Sequence, residues 1–391
     1  MPKTCSDFRV DADADLRVGA NCDLRVGANC DVRVGANCDI RVDANCDIRV
    51  DANAGLPVDA DSDFPVDTRH AGKSVGHARL HLHGTTMGTH WSVRCDVAPN
   101  VRPDRLRADL QAAVEQVDAQ MSPWKPDSDL VRLNRAPIDT WVELPVGMLQ
   151  VLGRALEIGR LSAGAFDPAV GALVDAWGFG AAREAPDAQA IRAARDDPRC
   201  PAHQGLELDS SAGCVRKRAR VQIDLCGIAK GYAVDRMVAV LQHHGIRHAL
   251  AALDGELRAL GSQADGRPWA VALESPRAGR RSAHGVIELQ DLAVATSGDY
   301  RRFVQLGDAR IAHTMDGRRS APVRNDVASV TVLARECIDA DAWATALLVA
   351  GPGEGLAMAH RLGLEALWLL RREGALVEVG LGRFGGAAGR V

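Results

Sequence analysis

Long apolar segments and an excess of basic residues are both missing from this sequence of 391 residues. No apolar run reaches the roughly 18 residues that mark a membrane-spanning helix, so we expect no transmembrane segment. Lys and Arg number 47 against 51 Asp and Glu, which gives a net charge of −4. A bulk nucleic-acid binder normally presents a strongly basic face, so this balance argues against nucleic-acid partners. The composition, 47% hydrophobic and 25% charged, is that of an ordinary protein with a sizeable core.

A signal-type segment and closely spaced cysteine pairs are missing as well. The opening residues, MPKTCSDFRV, contain no apolar stretch of the kind found in secretory signal peptides. The ten cysteines include no C-x-x-C pair, and four of them recur in a repeat, which does not favour a disulfide framework. We therefore expect reduced thiols and a cytoplasmic location.

Consecutive octads fill the sequence from Asp7 to His70, for example DLRVGANC and DIRVDANC. Each octad has an apolar residue at its second position and Val at its fourth, an alternation typical of strands, followed by turn residues. A disordered low-complexity tail, a small β-solenoid and a cysteine metal site are all compatible with this pattern. Disorder is favoured, because the small apolar side chains bury little surface and the cysteine spacing matches no usual zinc site. We predict that residues 1–77 form a separate, disordered octapeptide-repeat region.

Helix-like and strand-like stretches alternate from about residue 78 to the C-terminus, with no second linker. Apolar spacings of three and four predict helices over Arg105–Met121, Met148–Ser162, Ile228–His244 and Asp339–Ala350, the last ended by Gly351. Alternating segments predict strands over Thr89–Arg94, Val221–Leu225, Trp269–Leu273, Gly285–Leu289, Val327–Leu333 and Ala366–Leu370. We interpret residues 78–391 as a single catalytic domain of the α+β class, with helices and strands mixed along the chain.

Two segments near the start of this domain carry a sulfur or an aromatic side chain in a turn. In GTTMGTHWSV, residues 84–93, Met87 lies between two glycines ahead of a strand. A core position and a ligand contact are both compatible with a methionine there. In MSPWKPDSDLVRLN, residues 121–134, Trp124 is held between two prolines. Its ring offers a face to a planar ligand, and plain packing is the alternative.

Two further segments place charged side chains at helix starts. In GAFDPAVGALVDAWGFG, residues 164–180, Asp167 precedes a proline at a first helical turn, so an N-cap role and a ligand role are both open. In VQIDLCGIAKGYA, residues 221–233, a predicted strand delivers Asp224 into a glycine turn before a helix. Lys230 in the first turn opposes the helix dipole by about 0.3–1 kcal/mol, which indicates a nearby anion such as a phosphate. A solvated lysine is the alternative.

The last part of the domain supplies a candidate cation site and a histidine. Asp341 and Thr345 are four residues apart on a predicted helix and share one face near its N-terminus. Carboxylate and hydroxyl oxygens suit Mg²⁺, whereas the alternative is that Asp341 only complements the helix dipole. His313, in the loop HTMDGRRSAP, is compatible with a catalytic role, although a surface or hydrogen-bonded histidine is the commoner case.

These motifs follow one another in a characteristic order: GTTMGTHWSV, MSPWKPDSDLVRLN, GAFDPAVGALVDAWGFG, DLCGIAKGYAVDR, ATSGDYRRF, HTMD and ADAWATALL. In that order and spacing the chain resembles the ApbE-type FAD:protein FMN transferases over roughly residues 80–375. The resemblance implies an ApbE-like fold and Mg²⁺-dependent transfer of the FMN moiety of FAD to a threonine hydroxyl of an acceptor flavoprotein subunit, with release of AMP. Phosphoryl transfer of this kind depends on positioning and charge neutralisation.

The resemblance also implies roles for individual residues. The positions implied to contact FAD are Met87, Trp124, Ala165, Phe166, Asp167, Asp224, Lys230 and Met315. The implied Mg²⁺ ligands are the Gly227 carbonyl, Asp341 and Thr345. His313 corresponds to the histidine proposed as general base on the acceptor threonine, a task that suits a neutral imidazole near pH 7.

The sequence departs from the family pattern at three places. The loop that usually continues H-x-x-D-P-x-T-G is HTMDGRRS here, and Cys226 replaces a common glycine. Asp254–Gly255 stands where the family has two glycines. If the first of these positions requires a positive φ, we expect Asp254 to strain the turn or to block close approach of the flavin.

Other functional classes predict different observations. A FAD pyrophosphatase would give FMN and AMP with water in place of threonine, and a non-catalytic flavin-binding protein would release no AMP. A cysteine-rich metal or redox protein would bind zinc and lose it with the octads. Members of the family commonly act outside the cytoplasmic membrane, so the periplasmic face of the inner membrane is the alternative location if the N-terminus is assigned wrongly.

Overall fold

The computed structural model describes residues 8–10, 15–18, 23–26, 31–34, 39–42, 47–50, 78–183, 185–197, 199–276, 282–300, 303–306 and 309–385. The chain divides into two units, one of residues 1–70 with 272–287 and the other of residues 71–271 with 288–391. The residues that carry the candidate site all belong to the second unit.

Each of the first six octads contributes one short strand to the first unit. The strands are Phe8–Val10, Asp15–Val18, Asp23–Val26, Asp31–Val34, Asp39–Val42 and Asp47–Val50. Alternate octads pair in parallel and form two three-stranded sheets, with Leu24 opposite Ile40 in one and Val32 opposite Ile48 in the other. This repeated register is the pairing that a β-solenoid requires. The limits of the octapeptide region and its disorder stay predictions, and the repeat cysteines lie outside the described residues.

An antiparallel sheet of eight strands is the framework of the second unit. In chain order its strands are β1 (Ala78–Thr86), β2 (Thr89–Val97), β3 (His248–Leu253), β4 (Glu256–Leu260), β5 (Ala293–Gly298), β6 (Val327–Ala334), β7 (Glu365–Arg372) and β8 (Ala375–Gly380). Each strand pairs with the next one along the chain, so the sheet is a meander. The long insertion between β2 and β3 carries most of the helices.

The described helices are α1 (Pro103–Met121), α2 (Asp129–Arg135), α3 (Val146–Leu161), α4 (Gly171–Ala176), α5 (Ala188–Asp196), α6 (Ala202–Gly205), α7 (Ala229–His243) and α8 (Cys337–Leu362). Helix α7 packs on β3 and β4, α8 packs on β5 and β6, and the two helices pack on each other. They therefore cover the middle of the sheet on one face. Among the described residues, no helix is both long enough and apolar enough to cross a membrane.

The remaining described strands form small sheets outside the meander. Three of them, Trp141–Glu143, Leu206–Asp209 and Cys214–Lys217, pair in one sheet. The others form two-stranded ladders, which are Trp269–Glu274 with Ala283–Leu289, Phe303–Leu306 with Ala309–Ala312, and Met315–Asp316 with Ala321–Pro322. The last ladder follows His313 and fixes the loop that contains it.

The four predicted helices and five of the six predicted strands are confirmed, with shifts of a few residues at most ends. Helix α8 runs further than predicted, to Leu362, but its backbone leaves the helical conformation at Gly351, where φ is +73° and ψ is −179°. Pro352 follows this break. The glycine therefore ends the first helical part at the predicted position, and a second helical part resumes after it.

The predicted strand Val221–Leu225 is wrong, because this segment pairs with no neighbouring strand. The side chain of Asn134 takes the place of a partner strand: Ile223 N–H donates to its Oδ1 at 2.7 Å, and its Nδ2 donates to the Ile223 carbonyl at 2.9 Å. Asp224 N–H donates to the Pro168 carbonyl at 2.7 Å. The extended backbone is thus satisfied by an amide side chain and a helix start rather than by a strand ladder.

Candidate active site

Lys230 and Glu256 form a buried ion pair where α7 meets β4. Lys230 lies in the first turn of α7, and Glu256 is the first residue of β4 and is 2% exposed. The Lys230 Nζ donates to both Glu256 carboxylate oxygens at 2.7 Å. Burial acts to lower the pKa of Lys230, but the charges of Glu256 and Asp341 outweigh it and raise that pKa. Burial raises the pKa of the Glu256 carboxyl, and Lys230 acts against that rise.

Asp254 brings a second carboxylate to Lys230 from the turn between β3 and β4. Its Oδ2 lies 3.8 Å from Lys230 Nζ, and its N–H donates to the His90 carbonyl at 3.3 Å. The φ of Asp254 is +54°, so the turn does require the left-handed conformation. Asp and Asn are enriched in that conformation, which makes the expected strain smaller for Asp254 than for most residues.

Asp341 lies near the start of α8 and is 3% exposed. Its Oδ2 accepts a hydrogen bond from the Gly231 N–H of α7 at 2.9 Å. A Cβ added to Gly231 would overlap the Cys337 carbonyl and lie 2.8 Å from the Asp341 Cβ, so the two helices touch closely here. Burial raises the pKa of the Asp341 carboxyl, and the charge of Lys230 and the Gly231 N–H only partly offset the rise.

Asp235 fixes the start of α8 from the neighbouring helix. Its Oδ1 and Oδ2 accept the N–H groups of Cys337 and Ile338 at 2.9 Å each, and Arg258 Nη1 donates to its Oδ1 at 2.5 Å. Glu336, the residue at the N-cap position, makes no side-chain cap. The first turn of α8, and with it the position of Asp341, therefore depends on a carboxylate of α7.

Thr345 and Gly227 meet one helical turn after Asp341. A Cβ on Gly227 would lie 3.1 Å from Thr345 Oγ1 and 3.4 Å from the Phe166 ring. Ser297 Oγ lies within hydrogen-bond distance of Thr345 Oγ1, at 3.1 Å. The structure thus brings together Gly227 and Thr345 with Phe166, while Asp341 lies on the same face of α8 as Thr345.

The residues at this place fit a hard divalent cation. Asp341, Thr345 and the Gly227 carbonyl offer a carboxylate, a hydroxyl and a carbonyl oxygen, the donors that Mg²⁺ prefers. Three carboxylates, those of Asp254, Glu256 and Asp341, surround the single ammonium of Lys230. Burial raises the pKa of the Glu256 carboxyl to about 8 and also raises that of Asp341, so a bound cation would favour the ionised form of both groups. Within the described residues, no group of three or more His, Cys, Asp or Glu could hold a metal, so such an ion would keep several waters.

Asp224 closes the turn that leads into α7. Its Oδ1 accepts the Cys226 N–H at 2.8 Å, and Cys226 itself is exposed. Burial raises the pKa of the Asp224 carboxyl, the Cys226 N–H acts against that rise, and the nearby carboxylate of Asp175 adds to it. This turn holds Gly227 against Thr345.

Asp167 joins three parts of the chain, and its expected N-cap role is confirmed at the short 3-10 helix Pro168–Val170. Its Oδ1 accepts the N–H groups of Ala169 and Ala202 at 3.0 and 2.9 Å, and its Oδ2 accepts from Arg199 Nη2 at 2.8 Å. A Cβ on Gly317 would lie 3.0 Å from the same Oδ2. The turn after Met315–Asp316 therefore packs on the segment that begins with the buried residues Ala165 and Phe166.

His313 lies in the loop before this turn and is half-buried. Its ring meets the Phe179 ring edge-on, with centroids 6.3 Å apart. Met315 is buried, and its strand pairs with Pro322 across the turn GRRS. Arg318 in that turn is held by Asp316 at 3.2 Å and by Glu354 at 2.7 Å, so the altered loop has an ordered structure of its own.

Met87 and Trp124 lie in turns, as expected. Met87 occupies the tip of the β1–β2 hairpin with φ at +50° and packs partly against the core. Trp124 is 53% exposed, and its backbone N–H donates to Ser122 Oγ at 3.3 Å. Among the described hydrogen bonds and ion pairs, none joins either residue to Lys230 or to the carboxylates of Asp254, Glu256 and Asp341. The exposed indole keeps a face open to a planar ligand.

Sequence reasoning missed Glu256, Ser297 and Asp235. Glu256 follows the turn Asp254–Gly255 directly, but its partner Lys230 is 26 residues away. Ser297 lies inside the motif ATSGDYRRF. The place of this motif in the order of family motifs was the only sequence feature that pointed to the site. Asp235 caps a helix more than one hundred residues further on. A pattern of local spacing does not contain such pairs.

Comparisons with known proteins agree on one family. A family model described as the ApbE family matches residues 87–368. The FAD:protein FMN transferase of Vibrio cholerae is 33% identical to this chain over 306 residues, which is 77% of this chain and 90% of that protein. The FAD:protein FMN transferase of Klebsiella pneumoniae is 32% identical over 296 residues, 75% of this chain and 84% of that protein.

Solved structures confirm the α+β fold. The flavin transferase ApbE from Vibrio cholerae superposes with a TM-score of 0.72 at 32% identity, covering 79% of this chain and 99% of that one. The ApbE protein from Thermotoga maritima superposes with a TM-score of 0.69 at 28% identity, covering 78% and 98%. The similarity therefore extends over nearly the whole of these two proteins.

Proposed function

This chain belongs to the ApbE family, and from that premise we propose that it transfers the FMN moiety of FAD to a threonine hydroxyl of an acceptor protein and releases AMP. The observation that supports this most directly is the meeting of Phe166, Gly227 and Thr345, with Asp341 one turn away and the Lys230–Glu256 pair beside it. The arrangement combines an aromatic ring, a set of oxygen ligands suited to a cation and a partly buried ammonium, which suit a flavin that carries a pyrophosphate.

The proposed FAD-binding residues are those that the sequence indicated: Met87, Trp124, Ala165, Phe166, Asp167, Asp224, Lys230 and Met315. Phe166 and Trp124 offer ring surface to the isoalloxazine, and Lys230 offers charge to the phosphates. Asp167 also accepts hydrogen bonds from Arg199 and two N–H groups, so besides its proposed contact with FAD it holds the surrounding segment in shape.

The proposed Mg²⁺ ligands are the Gly227 carbonyl, Asp341 and Thr345. When bound there, the ion supplies charge neutralisation for the pyrophosphate oxygens. The chain's own residues prepare the place for it: Gly231 orients Asp341 through its N–H, and Ser297 orients the Thr345 hydroxyl.

His313 is the proposed general base. In the transfer, the acceptor threonine oxygen forms a bond to the FMN phosphorus, and the bond from that phosphorus to the bridging oxygen breaks. The threonine proton passes to the imidazole, and AMP leaves with the electron pair of the broken bond. The edge contact with Phe179 and the ordered turn after Met315 hold the ring in place.

The test is intact mass spectrometry of a flavin-acceptor domain from a redox subunit, co-expressed with this protein or with its His313→Ala variant. A mass gain of one FMN phosphoester with the wild type, lost with the variant, is the expected result. AMP release without a mass gain would instead mean a FAD pyrophosphatase, and neither product would mean a non-catalytic flavin-binding protein. The acceptor subunit is part of this proposal, and the cytoplasmic location stays a prediction.

A further inference from the structure

A cavity of about 280 Å³ lies where α1, the start of α3 and α7 meet. Lys230 and Tyr232 are two positions apart on α7, about 200° around the helix, so they face opposite sides of it. None of the described residues that line the cavity is among those proposed to hold FAD or Mg²⁺. The cavity is therefore a place separate from the candidate active site. Its lining includes Val117 and Gln120 of α1, Val146 and Gly147 of α3, and Tyr232 and Arg236 of α7.

Arg236 brings an unpaired positive charge to this cavity. Its side chain is half-buried, and within the described residues it makes no hydrogen bond or ion pair. No Asp or Glu is among the described residues that line the cavity. The neighbouring carboxylate of Asp235 is engaged by the first turn of α8 and by Arg258. A half-buried guanidinium without a counter-charge is costly, so the cavity favours an anion beside it.

The start of α3 adds hydrogen-bond donors at the same place. Its N-cap residue is Pro145, which gives no side-chain cap, and the first turn contains no acidic residue. The N–H groups of Val146 and Gly147 have no acceptor within the part of the chain that the structure describes. Such groups carry the partial positive charge of a helix start and need an acceptor from outside the helix.

Tyr232 connects the arginine with the helix start. A Cβ added to Gly147 would lie 2.7 Å from the Tyr232 hydroxyl oxygen, so this hydroxyl stands over the first turn of α3. Burial raises the pKa of the Tyr232 hydroxyl, and the charge of Arg236 acts against that rise. The hydroxyl therefore keeps its proton at neutral pH, and it donates to Gln150 Oε1 over a long 3.2 Å. An ionised acceptor in the cavity would take over this hydrogen bond, because charge makes it stronger.

We propose that this cavity binds a small monocarboxylate with an apolar body. The carboxylate pairs with the Arg236 guanidinium, whose planar fork matches two carboxylate oxygens, and it accepts from the Tyr232 hydroxyl and the Gly147 N–H. One guanidinium balances one negative charge, and the side chains of Val117 and Val146 offer apolar surface to the rest of the ligand. The inference goes beyond the proposed function and does not depend on it.

The experiment titrates the whole protein with benzoate and, separately, with benzamide, which has a similar shape without the charge. Ligand-observed NMR measures each dissociation constant, with and without saturating FAD and MgCl₂. Benzoate is expected to bind about tenfold more tightly than benzamide under both conditions, because its charge strengthens the hydrogen bonds. Arg236→Gln is expected to weaken benzoate binding about tenfold and to change benzamide binding by no more than about twofold.

Two further variants complete the series. Tyr232→Phe keeps the ring and removes one donor, so benzoate binding should weaken about fivefold. Arg160→Gln is the matched control, because it makes the same charge change at an exposed arginine in the last turn of α3, the opposite end from the cavity. This control is expected to leave the benzoate affinity unchanged. Thermal unfolding of each variant verifies that the fold is retained.

Several results would overturn the inference. Absence of benzoate binding at millimolar concentrations would refute the site, as would binding that Arg236→Gln does not weaken. Displacement of benzoate by FAD would place the probe at the flavin site instead. Inorganic phosphate that binds as tightly as benzoate, and through Arg236, would overturn the assigned class of ligand. Failure of the proposed function looks different: the acceptor gains no FMN, yet benzoate binding and its dependence on Arg236 remain.

Discussion

Glu256 holds Lys230 through both carboxylate oxygens at 2.7 Å, inside a place where the sequence indicated a phosphate. A cation in the first turn of a helix opposes the dipole, and the anion that compensates for it here is a protein carboxylate. A phosphate of FAD therefore reaches Lys230 only alongside Glu256. The pair fixes the direction of the lysine side chain before any substrate binds.

Replacing Glu256 by Gln is expected to destabilise the fold. The variant leaves the largely buried ammonium of Lys230 without its close carboxylate and turns an amide donor toward it. We expect the free energy of unfolding to fall by about 2 kcal/mol, somewhat less than for fully buried pairs, because Lys230 keeps 29% of its side chain exposed. Urea unfolding followed by circular dichroism measures the change.

The double variant Lys230→Met with Glu256→Gln is the control for that experiment. The double variant has no unpaired ammonium at residue 230. Its free energy of unfolding should therefore recover most of what Glu256→Gln alone loses. Lys230→Met alone completes the comparison. If the loss of unfolding free energy in the double variant equals the sum of the losses in Glu256→Gln and Lys230→Met, the two residues do not act as a pair.

Gly231 is expected to tolerate no side chain. A Cβ there overlaps the Cys337 carbonyl, a backbone atom that cannot move without shifting α8. We expect Gly231→Ala to lower the free energy of unfolding by about 2–3 kcal/mol and to reduce turnover, since a shift of α8 would lengthen the hydrogen bond from the residue 231 N–H to Asp341. Thermal unfolding and the rate of AMP release provide the two measurements.

Gly153 offers the matched helical control. It lies inside α3, and a Cβ added to it meets no atom within 4 Å. Gly153→Ala should therefore stabilise the protein by up to about 1 kcal/mol through helix propensity alone. Equal destabilisation by both variants would show that close packing of α7 on α8 is not the cause.

The sequence predicted the helices and most strands because their apolar spacing is local and strong. It placed Asp341 and Thr345 on one helix face correctly, since a spacing of four residues decides that without any tertiary contact. It was wrong about Val221–Leu225, because an alternating segment looks like a strand whether its partner is a strand or the side chain of Asn134. The structure shows which of these two partners is present, and the sequence alone does not.

The candidate site was predicted in part for the same reason. Glycine turns and helix starts are recognisable in a sequence as candidate anion-binding sites, and Gly227 and Lys230 lie in such a turn and such a helix start. The partners that set their chemistry come from distant parts of the chain: Gly231 meets Asp341 across 110 residues. Only the meander of the sheet, with α7 and α8 on one face, brings such residues together.

Asp235 is expected to be essential for the start of α8. Its carboxylate accepts two N–H groups of that helix and pairs with Arg258, so removal leaves three donors without their acceptor. We expect Asp235→Ala to cost about 2–3 kcal/mol in the free energy of unfolding. Hydrogen exchange should show faster exchange at the amides of Cys337 and Ile338.

Asp187 provides a comparison cap at the surface. It accepts the N–H groups of Gln189 and Ala190 at the start of α5, a helix without buried residues. Asp187→Ala should destabilise the protein less than Asp235→Ala does, because this cap lies at the surface. Similar losses for both variants would contradict a special role of Asp235 in holding α8.

Asp341→Asn is expected to abolish the effect of Mg²⁺ on stability and to stabilise the metal-free protein near neutral pH. Burial raises the pKa of the folded-state carboxyl above its unfolded value, so the folded protein holds this proton more tightly than the unfolded chain does. Without metal, this group's contribution to stability is therefore lost as the pH rises from the unfolded pKa through the folded one. The Asn variant lacks this loss and should be more stable than the wild type near neutral pH in EDTA.

Thermal unfolding between about pH 5 and 8, in EDTA and with MgCl₂, measures both parts of that expectation. Mg²⁺ binds only the folded wild type and should raise its midpoint, whereas the Asn variant should respond little and lose Mg²⁺-dependent turnover. Asp339→Asn is the control, because Asp339 lies on the same helix but pairs with Arg154 at 2.6 Å. Its response to Mg²⁺ should equal that of the wild type. If Asp341→Asn keeps the full Mg²⁺ response, this carboxylate does not bind the ion, and the raised pKa reflects burial alone.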